Sequence, residues 1–381
     1  MEENKIEQLK EISWVVIVTV VVGILAGVVG TVLTENYLYQ YTEGIDKITI
    51  PLRLAEQKPK PLPGTYEEAI EQIYSQAVPS LVNFYQKVGT TSSIEKMVYQ
   101  SDEILASGAV VTSDGWLVTA SDLFNTYASS GLVVVIGRDV YQIEQVVTDQ
   151  ATGFVFVKID GNNLPVLAFG ASDEVGAGDL VFVVPTEDTI VATSIKSIKN
   201  LGSVIHPAWE LQKHFLLADN ISGEISGAPL TNTSGELIGL VSDIDLASGE
   251  TVVRPLHHLL PVIQSVLYQG SVSRSYMGLS IVDLANTIGL SEELSLGMEN
   301  GALIVRDSLS RYVSGVIPGG PAEIAGLINN DIVLEVNRQM ITNNAPLAEI
   351  LLDYSPGDII SLKINRAGQE IELDLVLDEL L

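Results

Sequence analysis

One uncharged apolar run near the start of the chain constrains its topology more than any other feature. Residues 12–34 read ISWVVIVTVVVGILAGVVGTVLT and contain no Asp, Glu, Lys or Arg. A helix of roughly 20 such residues spans the hydrocarbon core of a bilayer. The run is too long for the apolar part of a signal peptide, and no small-residue cleavage pattern follows it. The sequence therefore predicts a transmembrane signal anchor at 12–34 rather than a buried core helix.

The charges that flank this run indicate its orientation. Lys5 and Lys10 precede it, whereas Lys47 and Arg53 follow it. Positive charge is enriched on the cytoplasmic side of membrane spans, but here it lies on both sides and discriminates little. Because most of the chain follows the run, we predict that residues 1–11 are cytoplasmic and that the body is extracytoplasmic, attached to the cell membrane by one span.

A proline-dense stretch separates this predicted anchor from the folded body. Residues 58–64 read KPKPLPG, which cannot continue a helix and favours an extended spacer. We therefore predict a Pro-rich linker over 35–64. Thr65 and Glu68 then form the pattern of a capping box, and apolar residues at helical spacing continue until Pro79.

Charge and residue usage exclude several classes of function. The chain has 20 Lys and Arg against 48 Asp and Glu, for a formal charge of −28. Such a surface repels phosphate backbones, so no nucleic-acid partner is expected. The absence of Cys removes disulfides, thiolate nucleophiles and Cys-based metal sites. No phosphate-binding loop, dinucleotide fingerprint, H-E-x-x-H or calcium loop is present, so neither a cofactor nor a metal site is expected.

Short β-runs joined by turn residues dominate the middle of the chain. Three predicted hairpins pair 109–112 with 116–119, 132–136 with 140–147, and Leu230 with 237–241. Many short strands at this spacing favour an antiparallel barrel or sandwich. A helix over 255–268 is predicted to close this unit, which gives a first domain at 65–272.

A second, smaller unit of mixed pattern follows at 273–381. Its predicted strands are 301–305, 332–337, 359–365 and 371–377, and its predicted short helices are 322–326 and 347–354. Strands that carry two short helices indicate a compact α+β module.

Three segments in order carry a family resemblance. Residues 106–122 (ASGAVVTSDGWLVTASD) resemble the segment that leads to the catalytic His of HtrA/DegP-type trypsin-like serine proteases, and residues 221–239 (ISGEISGAPLTNTSGELIG) resemble their nucleophile region. Residues 316–337, with PGGPAEIAGL at 318–327, resemble the PDZ domain that follows in that family. The resemblance implies a mainly β fold, namely a chymotrypsin-like double β-barrel plus an α+β PDZ domain, preceded here by one transmembrane helix. It also implies a homotrimer.

The residues that this family uses for catalysis differ in this chain. Ser226 occupies the nucleophile position, but Asp122 stands at the position of the His and Gly153 at that of the Asp. Glu224 replaces the Gly that helps form the oxyanion hole, and Ala228 replaces a second Gly after the nucleophile. A trypsin-like mechanism needs a base, a carboxylate that orients it and oxyanion donors. These substitutions therefore predict an inert Ser226.

Two groups could restore the chemistry, a carboxylate that acts as the base or a histidine from elsewhere in the chain. A free carboxylate, with a pKa of ~3.9, is a poor base for a hydroxyl proton near neutrality. The alternative is a histidine from elsewhere, and the sequence offers four, which are His206, His214, His257 and His258. The last two open the predicted closing helix, where we expect exposed or capping residues. A rescue by one of these rings stays open from sequence alone.

The PDZ-like module carries a candidate peptide groove. In this family the loop that binds a peptide carboxylate reads Tyr/Gly-x-Gly-apolar, and a PDZ domain binds an extended C-terminus as an added strand. The residues expected to form the groove, by resemblance, are Tyr276, Met277, Gly278, Leu279 and Ile281 on the loop and strand, with Leu347, Ile350 and Leu351 on the helix. The alternative for the apolar members is that they simply fill the core of a small domain.

We therefore predict a membrane-anchored HtrA-like pseudoprotease that acts as a scaffold or peptide-binding protein in envelope protein quality control. Its expected partners are C-terminal or unfolded peptides of envelope proteins, and its expected assembly is a homotrimer, alone or mixed with an active relative. Two alternatives stay open. One is an active HtrA-like serine endopeptidase that degrades misfolded envelope proteins, and the other is a structural envelope protein.

Overall fold

The computed structural model describes residues 64–89, 98–221, 226–245, 249–306 and 314–380, with only the backbone of 243–245. All of these belong to one compact unit of the chain. The predicted anchor at 12–34, most of the predicted linker and Glu224 lie outside the described residues. Across the ranges given above, no helix has both the length and the apolar character to cross a membrane.

The described chain begins with the predicted capped helix. Helix α1 runs from Tyr66 to Gln76, and the Thr65 hydroxyl accepts a hydrogen bond from the Glu68 amide at 3.2 Å. The Glu68 carboxylate in turn accepts from the Gly64 amide at 2.7 Å. Both contacts satisfy amides that a helix N-terminus leaves without partners. The capping residues predicted from the sequence are therefore confirmed.

Six antiparallel strands form a first closed barrel, in the order β1-β2-β3-β6-β5-β4. Its strands are β1 Leu81–Gln86, β2 Ala106–Val110, β3 Trp116–Ala120, β4 Leu132–Ile136, β5 Asp139–Asp149 and β6 Phe154–Ile159. A one-turn helix, α2 Asp122–Thr126, follows β3 directly. The predicted hairpins β2/β3 and β4/β5 are both present.

A second closed barrel follows, in the order β10-β13-β12-β11-β7-β8. Its strands are β7 Leu180–Thr186, β8 Thr189–Asn200, β10 Lys213–Leu217, β11 Pro229–Thr231, β12 Leu237–Asp245 and β13 Glu250–Pro255. The predicted closing helix is divided into a 3₁₀ turn at Leu256–His258 and helix α3 at Leu260–Gln269, since Pro261 lies in the first turn of α3.

The remaining elements form the α+β module. Its strands are β14 Ser275–Tyr276, β15 Ser280–Asp283, β16 Ala302–Ile304, β17 Ile332–Val336, β18 Gln339–Met340, β19 Ile359–Arg366, β20 Gln369–Val376 and β21 Asp378–Glu379. Its helices are α4 Glu292–Ser295, α5 Pro321–Ile324 and α6 Leu347–Ile350, the last continued by a 3₁₀ turn at Leu351–Asp353.

One strand of this module's sheet comes from the barrel body. The seven-stranded sheet has the order β20-β19-β17-β16-β15-β9, with β18 paired to β17. Strand β9, His206–Pro207, belongs to the connection between β8 and β10 of the second barrel. The sequence analysis did not predict this strand, because two residues that include a proline carry no strand pattern.

Candidate functional site

Ser226 and Asp122 meet where the two barrels face each other. The Ser226 hydroxyl donates a hydrogen bond to Oδ2 of Asp122 at 3.3 Å. Asp122 opens α2 immediately after a first-barrel strand, whereas Ser226 lies in the turn before β11 of the second barrel. The fold therefore brings together the two residues that stand at the predicted base and nucleophile positions.

Gly153, at the position predicted for the orienting carboxylate, contributes only backbone to this site. Its carbonyl accepts a hydrogen bond from the Ser121 amide at 2.9 Å. A β-carbon added to Gly153 would lie 3.7 Å from the Ser121 hydroxyl, so a side chain here would have room. However, Gly153 has φ +69°, a left-handed conformation that disfavours other residues. Its local backbone therefore favours the glycine that the sequence has.

The backbone after Ser226 is held tightly against the first barrel. The Ser226 carbonyl accepts from the Ser107 amide at 3.0 Å. Gly227 follows with φ +78°, and a β-carbon there would lie 2.2 Å from the Ser107 carbonyl oxygen. Only glycine fits this turn. The turn conformation around Ser226 is thus fixed by inter-barrel contacts, while Glu224 lies outside the described residues.

The four histidines make their hydrogen bonds away from Ser226. His206 and His214 each bond a backbone carbonyl through Nδ1, that of Pro207 at 3.0 Å and that of Gln212 at 2.6 Å. His257 bonds the Ser172 hydroxyl and His258 bonds Glu349. Among the described residues, the recorded side-chain partner of Ser226 is Asp122 alone.

The predicted peptide groove contains a segment of the chain itself. In strand β15, Ser280 and Ile281 pair antiparallel with Pro207 and His206 of β9. The Ala208 amide extends this pairing by donating to the Leu279 carbonyl at 2.9 Å. An incoming peptide would use the same edge of β15 in strand addition.

Side chains that flank the paired residues pack against the module. Ala208, with 1% of its surface exposed, joins a buried cluster with Met277, Leu279, Ile281, Leu347, Ile350 and Leu351. Ile205 packs on a second cluster of the module that includes Val282 and Leu284. Of the predicted groove residues, Tyr276 pairs with Asp378 at the module's other small sheet, and Gly278 takes the positive φ of a tight turn. The apolar groove residues are therefore core residues in this arrangement.

A cluster of polar side chains around Glu349 joins helix α6 to the second barrel. Lys213 of β10 lies 3.1 Å from Oε2 of Glu349. His258 and His257 both direct Nε2 toward Oε1, at 3.2 and 3.7 Å. The predicted exposed or capping role of this histidine pair is wrong for His258, which is fully buried. The 3₁₀ turn directs the His258 ring toward Glu349 of helix α6 instead of toward solvent.

Burial, hydrogen bonds and the Lys213 charge together set the protonation of this cluster. Burial lowers the pKa of His258 to about 4, although its hydrogen bond to Glu349 acts in the opposite direction. Burial would raise the pKa of Glu349, but hydrogen bonds from His257 and His258 and the charge of Lys213 hold it below its usual range. Near neutral pH, Glu349 is therefore ionised and His258 is neutral.

A buried ion pair makes a second connection near the start of the module. Arg274 donates from Nε and Nη2 to the two oxygens of Asp149, at 2.9 and 2.6 Å, and Nη2 also donates to the His258 carbonyl at 2.8 Å. Asp149, at the end of β5, is fully buried. Neither this pair nor the role of Glu349 is predicted from the sequence, because long-range polar contacts leave no local pattern.

Comparisons with known proteins agree with this architecture. The trypsin-like peptidase domain family matches residues 106–240, and the PDZ domain family matches residues 312–366. A probable periplasmic serine endoprotease DegP-like of Marinomonas sp. is 29% identical over 72% of this chain and 57% of its own length. A protein of the same description from Chlamydia trachomatis is 26% identical over 74% of this chain and 55% of its own. The chain thus spans little more than half the length of these relatives.

Solved structures show the same fold. The HtrA-type protease AlgW with a tripeptide superposes with a TM-score of 0.60 at 24% identity, covering 83% of this chain and 98% of that one. The serine endoprotease from Yersinia pestis superposes with a TM-score of 0.51 at 22% identity, covering 84% and 99%. Together, the double barrel, the module that follows it and these matches show that the chain belongs to the HtrA/DegP-type family of trypsin-like proteins with a PDZ domain.

Proposed function

We propose that this protein is a member of its family that has lost peptidase activity and that binds peptides or proteins in the cell envelope. The observation that carries the proposal is the hydrogen bond from the Ser226 hydroxyl to the Asp122 carboxylate. In a trypsin-like site that hydroxyl donates to an imidazole, which takes its proton.

The charge of Asp122 also opposes the reaction that a protease performs. A carboxylate is a weak base for a hydroxyl proton at neutral pH. Its negative charge beside the hydroxyl would raise the energy of the oxyanion that forms in acyl transfer, where preorganised donors each contribute about 3–4 kcal/mol. Gly153 offers no carboxylate to orient a base, and the four histidine rings have other partners. We therefore expect no acyl-enzyme chemistry at Ser226.

Labelling with a fluorophosphonate tests this part of the proposal. The full chain, solubilised in detergent, is treated with the probe beside Ser226→Ala, and casein cleavage is followed in parallel. We expect no difference in labelling between the two proteins and no cleavage. Labelling that Ser226→Ala abolishes would instead support the second candidate, an active serine endopeptidase, which the descriptions of the relatives favour. A cooperative thermal melt confirms that each protein is folded.

Peptide binding is proposed to occur at the groove between β15 and α6. Because His206, Pro207 and Ala208 occupy it, an external peptide must displace them. Ala208 fills an apolar space beside Met277 and Leu279, so a peptide with a small or medium apolar C-terminal residue is the ligand that the groove fits. The AlgW structures with a tripeptide and with a decapeptide show that a protein of this fold is found with peptides.

The protein is proposed to be attached to the cell membrane, with its folded body outside the cytoplasm. The uncharged run at 12–34 would anchor the protein, with the domains at 65–272 and 273–381 in the extracytoplasmic space and 35–64 as linker. The periplasmic description of the relatives supports this placement. A homotrimer, alone or with an active relative, is the assembly we propose. Protease protection of spheroplasts tests the topology, since external protease should remove the body and leave the N-terminal segment.

A further inference from the structure

Three side chains with metal-binding atoms converge between the second barrel and helix α6. Nε2 of His258 lies 3.2 Å, and Nε2 of His257 3.7 Å, from the same oxygen of Glu349, Oε1. The candidate donor atoms of these residues all lie within 4.8 Å of one another. His257 and His258 are adjacent in sequence, whereas Glu349 lies 91 residues beyond His258 and is brought to them by the fold. The function proposed above uses none of the three.

The donor set and its spacing suit a zinc ion. Two imidazoles and one carboxylate, with an open position for water, form a common zinc ligand set. With metal–ligand distances of about 2.0–2.1 Å, the ligand atoms of a tetrahedral site lie about 3.3 Å apart. The separations of 3.2 and 3.7 Å from Oε1 are close to this value, and the donor atoms of the two histidines lie within 4.8 Å of each other.

The surrounding contacts orient these ligands as outer-shell groups do in metal sites. Nδ1 of His257 is held by the Ser172 hydroxyl at 2.9 Å, which turns Nε2 toward Glu349. Oε2 of Glu349 is engaged by Lys213 at 3.1 Å, which leaves Oε1 for the imidazoles. Partners of this kind fix ring orientation and ligand basicity. Some solvent reaches the cluster, because the side chains of His257 and Glu349 are 19% and 14% exposed.

Two nearby positive charges oppose a cation, that of Lys213 on the Glu349 carboxylate and that of Arg254, which acts on His258. The Lys213 ammonium bonds the same carboxylate, so it weakens the attraction between Glu349 and a divalent ion. Arg274 is also close, but Asp149 neutralises it through two hydrogen bonds. The affinity for a divalent ion should therefore rise when the Lys213 charge is removed. An increase on loss of a neighbouring lysine distinguishes this site from non-specific metal binding.

We propose that His257, His258 and Glu349 bind a divalent transition-metal ion, with zinc as the best fit, and that the ion joins the second barrel to helix α6 of the PDZ domain. Because α6 forms one wall of the groove that holds residues 206–208, the bound ion would also stabilise that closed arrangement.

Direct metal titration tests the proposal. The tag-free full chain in detergent is stripped with chelator and titrated with zinc by calorimetry, and then with Co²⁺, whose visible absorption reports coordination geometry. The variants are Glu349→Gln, His257→Ala and Lys213→Met. Asp353→Asn is the matched control, since it removes an exposed carboxylate from the same segment of the PDZ domain. His258 is left unchanged, because its full burial makes any substitution there a test of folding.

We expect one zinc per chain and the intense Co²⁺ bands of a four-coordinate site. Glu349→Gln and His257→Ala should each weaken zinc binding by roughly 10-fold or more, Lys213→Met should strengthen it, and Asp353→Asn should not change it. If Glu349→Gln does not fold, His257→Ala gives the same comparison, because His257 is partly exposed and its replacement should be tolerated. The proposal is overturned if the wild-type protein takes up no stoichiometric zinc, if both ligand variants bind like wild type, or if Co²⁺ shows only the weak bands of octahedral coordination.

Discussion

The hydroxyl of Ser226 and the carboxylate of Asp122 lie 3.3 Å apart and connect the two barrels of the trypsin-like fold. In an active protease of this fold the corresponding contact joins a serine to a histidine. This chain has the same contact and the supporting turn at Gly227, but the acceptor of the hydrogen bond is a carboxylate instead of an imidazole. The site therefore has the geometry of a trypsin-like serine contact without its basic partner, and the two properties can be tested separately.

Replacing Asp122 with histidine should give Ser226 a basic partner. We expect Asp122→His to react with a fluorophosphonate faster than wild type, because an imidazole can take the hydroxyl proton. The rate should stay far below that of a complete triad, since loss of the orienting carboxylate alone costs about 10⁴-fold. Labelling rates at neutral pH measure this, with Asp122→His/Ser226→Ala as the control. Equal labelling of wild type and Asp122→His would contradict it.

Local patterns were sufficient to predict much of the fold. Thr65 and Glu68 identified the start of α1, and the turn residues at 113–115 identified the β2/β3 hairpin, because both signals depend on neighbouring residues. The contact of Ser226 with Asp122 followed from the order of the matched motifs. These features needed only short stretches of sequence, or a resemblance that covers most of the chain.

The features that the sequence did not predict all depend on contacts between distant segments. Strand β9 exists because β15 offers it an edge, and Pro207 argues against a strand locally. His258 is buried because α6 places Glu349 over it, 91 residues further along the chain. The same cause explains why the groove residues Ile350 and Leu351 could not be assigned to groove or core beforehand. Residue 208, which completes their cluster, belongs to the other domain.

Loosening the segment in the groove should expose the PDZ domain to peptides. Ala208→Asp places a charge in an apolar cluster, and burying it without a partner is unfavourable, so the segment should leave the groove. We expect tighter binding of a fluorescent peptide with an apolar C-terminus, measured by anisotropy. Val204→Asp is the matched control, because it adds the same charge to the same segment at a position that is 66% exposed. Equal peptide affinity in the two variants would contradict the closed groove.

Removing Arg274 should destabilise the protein strongly. Arg274→Ala leaves Asp149 fully buried without its cation, and breaking a buried pair in this way costs about 3–5 kcal/mol. Urea unfolding measures the loss. Lys363→Ala is the control, because its ion pairs with Glu335 and Glu370 on the PDZ sheet are partly exposed to solvent, and we expect little change in the unfolding midpoint. Similar effects of the two substitutions would show that the Arg274 pair does not contribute as its burial implies.

The turn after Ser226 should tolerate no side chain. In Gly227→Ala the new β-carbon would lie 2.2 Å from the Ser107 carbonyl oxygen and 2.9 Å from the Ala120 amide. Gly137→Ala is the matched control, since Gly137 also has a positive φ of +59° but nothing within 4 Å. The control should lose about 1 kcal/mol of unfolding free energy, and Gly227→Ala at least ~3 kcal/mol more. Equal losses would mean that the barrels can separate at this turn without cost.

Acid should destabilise the protein through buried neutral histidines. Burial lowers the pKa of His214 to about 3 from its usual 6.5, and the charges of Arg254 and His258 act in the same direction. Because the unfolded chain binds this proton more readily, the contribution of His214 to stability is complete above pH 6.5. It is lost as pH falls toward 3, by up to about 1.4 kcal/mol per pH unit. His258, with a pKa of about 4, contributes in the same direction. The lowered pKa of Glu349 also makes acid destabilising, but only below pH 4.5, the usual pKa of a glutamate.

The free energy of unfolding in urea, measured between about pH 7.5 and pH 5, tests whether His214 and His258 cause the loss of stability in acid. We expect His214→Leu to reduce the slope by about half, since it removes one of the two histidines whose pKa is lowered by burial. The measurement at the upper end of the range shows whether the variant is folded before the slopes are compared. A wild-type slope that His214→Leu leaves unchanged would assign the acid sensitivity to other groups.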